Sequence, residues 1–149
     1  MITLIALGIS LTAITAFSTT NTTNSSKKVN TSAVLDSIGQ EESHFGDVQG
    51  VSDEASLVQY GYGDCWADSE WLYDKLTVAG VPVRIMGYVG GGSGAGYRHA
   101  WVEINVGNGW QMWNYGKYNS QHYGDVGDGT PYVLIGPGNS SADILSTGY

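Results

Sequence analysis

The sequence predicts an α+β domain with a helix packed on an antiparallel sheet. Three observations carry this. Apolar positions repeat at helical spacing from Cys65 to Ala79, the period changes to two from Val81 onward, and the helical segments precede the strands instead of alternating with them.

The elements follow in order. "MITLIALGISLTAITAF" (1–17) is uncharged and mostly apolar. It falls short of the roughly 20 residues a membrane span needs and suits the apolar core of a secretory signal. No Lys or Arg precedes it, so an uncleaved N-terminal anchor stays open as the alternative. Residues 18–32 are rich in Ser, Thr and Asn and nearly free of apolar side chains, which makes them a linker to the domain at 33–149. N-x-S/T sequons begin at Asn21, Asn24, Asn30 and Asn139, as suits a glycosylated stalk. A secreted or cell-surface location is the expectation.

Ser32 to Glu42 and Asp53 to Tyr60 each read as a short helix, with Ser32 and Asp53 as N-caps. The acids from Glu41 to Glu54 read as a solvated face. The third helix is the clearest. Cys65, Ser69, Leu72, Leu76 and Ala79 form its stripe, Asp64 its N-cap, and Asp68 and Glu70 complement its positive end. Gly80 stands where a C-cap belongs, and Pro82 blocks continuation. Strands follow at Val81–Val89, Tyr97–Val106, Trp110–Gly116 and Tyr132–Gly136. A flexible "GGGSGAG" loop at Gly90–Gly96 separates the first two.

Composition narrows the function classes. The chain has 149 residues, sufficient for one domain. Its net charge is −8 with only 6 Lys and Arg, scattered along the sequence. No basic stripe exists for phosphates, which argues against nucleic acid and against anionic lipid. The single cysteine, Cys65, has no partner for an internal disulfide; it is an intermolecular bridge, a buried thiol or a reactive one.

A thiol reacts as thiolate, and its pKa falls at a helix N-terminus or beside a histidine. Cys65 occupies a helix start. Of His44, His99 and His122, His99 stands out, because it opens a strand with Trp101 and Glu103 on its own face. His122, in a polar stretch, reads as a surface residue, and the five tryptophans as packing. A base needs a partner to hold its tautomer. Asn114 on the next strand is the candidate. With Val106 opposite Gly109, Asn114 lies across from Trp101, one diagonal step from His99. With an Asn108–Gly109 turn it lies across from Glu103 instead, out of reach. No HxH or CxxC spacing supports a metal site.

These residues, "GDCWADSEWLYDKLTVAGVPVRIMGY" followed by "RHAWVEINVGNGWQMWNY", resemble the transglutaminase-like superfamily of papain-like fold. The family pattern is a Gly-x-Cys helix start, a helix ending in Gly-Val/Ile-Pro, a strand, His-Ala-Trp-Val-Glu, a turn, and Trp followed four residues later by Asp. The resemblance runs from Gly61 to Tyr115 and looks most like the methanogen pseudomurein endoisopeptidases, which cleave isopeptide bonds in the archaeal wall polymer. It implies Cys65 as nucleophile, His99 as general base and then acid, and Asn114 as orienter. Asn114 departs from the usual Asp; it can accept from His Nδ1–H but does not stabilise imidazolium by charge. Asp125 or Asp128 are substitutes if the sheet brings them near. The Cys65 N–H would hold the oxyanion, with Gln59 or Tyr62 as a second donor. The implied activity is an exported cysteine peptidase acting on wall peptide through a thioester, with no cofactor. A cross-linking acyl transferase and a non-catalytic wall-binding module of the same fold are the alternatives.

Overall fold

A central helix organises the structure. The computed structural model describes residues 23–89, 98–122, 130–142 and 144, with backbone alone at 23–30, 89 and 98. In chain order the elements are α1 (Thr23–Glu42), β1 (Gly46–Asp47), α2 (Glu54–Tyr60), β2 (Tyr62–Gly63), α3 (Cys65–Val78), β3 (Val83–Val89), β4 (Arg98–Asn105), β5 (Trp110–Met112), α4 (Tyr115–Tyr118) and β6 (Tyr132–Ile135).

Helix α3 starts and stops where its local chemistry dictates. Asp64 is extended, and its Oδ1 accepts the N–H groups of Trp66 at 3.0 Å and Ala67 at 3.3 Å. At the far end Gly80 takes a left-handed φ of 72°. Gly80 N–H donates to the Thr77 carbonyl at 3.0 Å and Val81 N–H to that of Leu76 at 2.9 Å, the paired bonds of a Schellman ending. The buried surface of α3 is wider than one stripe. Trp66, Ala67, Asp68, Ser69, Trp71, Leu72, Tyr73 and Leu76 are all buried, because α1 and α2 pack on it as well as β3 and β4.

The main sheet is antiparallel, in the order β5-β4-β3-β6. Alternation sorts β3 and β4 into two rows. Val83, Ile85, Ala100, Val102 and Ile104 make an aliphatic row; Arg84, Met86, Tyr88, His99, Trp101 and Glu103 make the other. Separately, β1 and β2 form a two-residue parallel bridge that sets Asp47 beside Gly63.

Three expectations change. Helix α1 begins at Thr23, not at Ser32, so Ser32 is not its cap. Glu42, expected on a solvated face, is buried, with Trp113 Nε1–H donating to it. The third strand ends at Met112 instead of reaching Gly116, and the chain turns into α4. The 90–97 loop and residues 1–22 lie outside the described residues. Among those described, no helix is long and apolar enough to cross a membrane.

Candidate active site

The turn before Cys65 is staked from several sides. A Cβ on Gly63 would lie 2.8 Å from Ala67 Cβ, 2.9 Å from Leu57 Cδ1 and 3.1 Å from the Val51 carbonyl oxygen, so only glycine fits. The Gly63 carbonyl accepts from Val48 N–H at 2.9 Å and from His122 Nε2–H at 3.2 Å. Asp64 N–H donates to the Val51 carbonyl at 2.8 Å, while Asp64 Oδ2 accepts from Ser52 Oγ–H and from Gly50 N–H. Asp64 Oδ1 caps Trp66 and Ala67, and the Asp64 carbonyl takes Asp68 N–H. Cys65 N–H is the amide of this first turn that Asp64 leaves uncapped. A helix N-terminus with an uncapped N–H is suited to hold an anion.

The sulfur meets β4 at a gap in the ladder. The register Glu103↔Met112, Ile104↔Gln111, Asn105↔Trp110 extends to Trp113, whose N–H donates to the Val102 carbonyl at 2.9 Å. Beyond that β5 leaves. The Val102 N–H is taken by the Tyr115 hydroxyl at 2.9 Å. Two residues along the same edge, the Ala100 N–H faces the Cys65 thiol. Cys65 is half-buried and free of any disulfide.

The electrostatics run against the expectation of an activated thiolate. Burial pushes the Cys65 thiol up to about 12, the Ala100 N–H opposes this, and the carboxylates of Asp64, Asp47 and Asp68 add to it. The helix dipole is outweighed, and the resting group is a protonated thiol.

His99 is buried on β4, immediately before Ala100 and opposite Tyr88. Its ring lies 5.9 Å from that of Trp101 at 21° and 6.2 Å from that of Tyr88. β4 thus brings His99 to the stretch that the Cys65 thiol faces.

Asn114 is placed differently from these two. The register is the one that sets it across from Trp101. Its side chain, however, is exposed and caps α4, with Oδ1 accepting Lys117 N–H at 3.1 Å. Gln59 and Tyr62 are also exposed, and the Tyr62 ring stacks on Tyr60 at 5.9 Å. Asp125 and Asp128 lie outside the described residues.

Two buried groups escaped the sequence reading. His122 is buried, not superficial, and it reaches back to Gly63. Asp68, read as a complement to the helix dipole, is buried one turn after Cys65, with neither carboxylate oxygen partnered among the described residues. Burial, and then the charge of Glu42, hold Asp68 well above the ordinary carboxylate range; Glu42 is itself pushed up to about 8 by burial, against the Trp113 hydrogen bond. The only sequence hint was Asp68's place three residues after Cys65, on the inward side of the helix. Among the described residues no three His, Cys, Asp or Glu side chains form a metal-sized cluster.

No family model matches the chain, and no curated protein matches it. Among solved structures, one from Cytophaga hutchinsonii, provisionally assigned as a cysteine protease, is similar with 13% identity and a TM-score of 0.44 over 74% of this chain and 46% of that one. The chain thus spans less than half of that protein's length, and a likeness this shallow carries no argument about its fold or activity.

Proposed function

We propose that this domain is a cysteine peptidase of transglutaminase-like fold that hydrolyses amide or isopeptide bonds in cell-wall peptide outside the cell. One observation carries the reading. Cys65 offers an uncapped N–H at a helix start while its thiol faces the Ala100 N–H of β4, the residue that follows His99 in the strand.

Because the resting thiol holds its proton, deprotonation accompanies attack. His99 takes the proton as Cys65 Sγ adds to the carbonyl carbon. The resulting oxyanion meets the Cys65 N–H and the positive end of α3. His99 then returns the proton to the departing amine, leaving a thioester. Water, deprotonated by His99, releases the acid and restores the thiol. The carboxylates of Asp47 and Asp64 around Cys65 favour a leaving group that departs as a cation, such as the ε-amine of lysine. Asn114 holds the third position in chain order. As folded it caps α4, so Cys65 and His99 carry the chemistry as a pair. The resemblance from Gly61 to Tyr115 supports pseudomurein peptide as the first substrate to try, and the apolar N-terminus supports export. An amine in place of water would turn the same thioester into a cross-link.

The test is acyl-enzyme trapping. An Nε-alanyl-lysine isopeptide and pseudomurein fragments are incubated with wild type, Cys65→Ala and His99→Ala, then quenched in acid and weighed by mass spectrometry. An acyl adduct on wild type alone, with lysine released, is the expected result. Transfer to added glycine amide would redirect the reading to cross-linking. The exposed Tyr60–Tyr62 stack and the turned-away Asn114 favour a second reading, a wall-binding module. Wall binding without any adduct would decide for it.

A further inference from the structure

We infer that His122 is a positioning residue for the Cys65 turn: its Nε2–H pins the Gly63 carbonyl and so aims the Cys65 N–H at the oxyanion. This rests on reading Cys65 as an acylated nucleophile.

The geometry is specific. His122 lies 59 residues from Gly63 in sequence, yet its Nε2 sits 3.2 Å from that carbonyl oxygen. A carbonyl only accepts, so Nε2 carries the proton and the neutral tautomer is set. Nδ1 has no partner among the described residues. Burial holds His122 below the ordinary imidazole range, while the Gly63 hydrogen bond and the charges of Asp47 on β1 and Asp64 before α3 pull the other way.

Gly63 is the lever. Its carbonyl also takes Val48 N–H, so two donors from separate segments hold one peptide plane. That plane precedes Asp64, and Asp64 is tied by its own N–H and by both carboxylate oxygens. Loss of the His122 donor would free this plane to tilt, and the tilt would be passed through Asp64 to the Asp64–Cys65 peptide, which carries the uncapped N–H. A buried imidazole is not needed for packing alone at such a point; an apolar side chain would fill the space without burying a nitrogen that lacks a partner among the described residues.

Acylation and alkylation separate this role from a merely structural one. p-Nitrophenyl acetate acylates a nucleophilic cysteine: the S–C bond forms, the C–O bond breaks, p-nitrophenolate leaves, and an oxyanion develops on the way. Iodoacetamide alkylates the same sulfur by displacement of iodide, with no oxyanion. The variants are His122→Phe and His122→Leu, which keep bulk and lose the donor, and His122→Gln, which keeps an N–H. We expect the p-nitrophenolate burst of the Phe or Leu variant to slow by about tenfold or more. Alkylation should stay within about twofold of wild type, and Gln should recover part of the burst. Bursts equal to wild type in Phe and Leu would overturn the inference while leaving the nucleophile in place. A parallel fall of burst and alkylation, or failure of all three variants to fold, would make His122 structural and overturn it too. No burst in wild type would remove the nucleophile reading, and this inference with it.

Discussion

The Tyr115 hydroxyl accepts the backbone N–H of Val102 at 2.9 Å, replacing the rung of β4 that β5 leaves after Trp113. This exchange shapes the site. It lets β5 end early without orphaning a buried amide, and it leaves the next amide on that edge, Ala100 N–H, to the Cys65 thiol. Tyr115→Phe keeps the ring and removes the acceptor. It should cost about 1–3 kcal/mol, the penalty for an unsatisfied buried donor. Urea unfolding measures it, and an unchanged midpoint would deny the replacement.

Cys65 should behave as a poor thiolate. With its pKa raised to about 12 by burial and the neighbouring acids, its alkylation rate should climb by about tenfold per pH unit and show no plateau below pH 9. Asp47→Asn removes one of those charges from an exposed position and should speed alkylation. A plateau near pH 7 in wild type would mean that the thiol is activated after all.

Glu42 makes stability depend on pH. Its carboxyl is raised from 4.5 to about 8, chiefly by burial. The unfolded chain therefore gives up this proton first as pH rises. The contribution is complete below the unfolded value and is lost as pH climbs through the folded one. Melting temperature should fall between pH 5 and pH 8, and Glu42→Gln, which still accepts from Trp113, should flatten that slope. Asp68, raised in the same direction, keeps part of the slope in the variant. A slope unchanged by Glu42→Gln would show that this carboxyl is not the source.

Gly63→Ala tests the pinched turn. Its methyl would approach Ala67, Leu57 and the Val51 carbonyl within 2.8 to 3.1 Å. Overpacking of this kind costs about 1–3 kcal/mol. Because the neighbours include backbone, relief must move the Cys65 turn, so acylation should fall with stability. Wild-type stability and acylation together would contradict the packing.

Asn114 should act as a cap. Asn114→Ala loses the acceptor for Lys117 N–H and should cost about 1 kcal/mol, whereas Asn114→Asp should keep it. Denaturant midpoints distinguish the two. An equal loss in both would argue that the amide does something that a carboxylate cannot.

Much of this was legible in the sequence because it is local. Asp53 and Asp64 cap the helices that they precede. Gly80 and the following Val81 close α3, whereas the sequence leaves the β4–β5 register open between two turns and the structure takes the one with Val106 opposite Gly109. Each depends on a few neighbouring residues, whose side-chain oxygens, positive φ and alternation are properties of short segments. The placement of Cys65 at a helix start and of His99 at a strand start followed from the same signals.

What tertiary structure alone decided is burial and distant pairing. Sequence by itself marked His122 and Glu42 as exposed and Asp68 as a complement to the helix dipole. The fold buries all three: Asp68 and Glu42 where α1, α2 and the sheet cover α3, and His122 against the Gly63 turn. Their partners lie far along the chain: His122 and Gly63 are 59 residues apart, Trp113 and Glu42 are 71. The reversal at Cys65 has the same origin. A helix start predicts a lowered thiol pKa, but desolvation and the carboxylates gathered around the sulfur raise it. The sign of such a shift depends on which charges and how much water surround the group in three dimensions, and no local pattern encodes either.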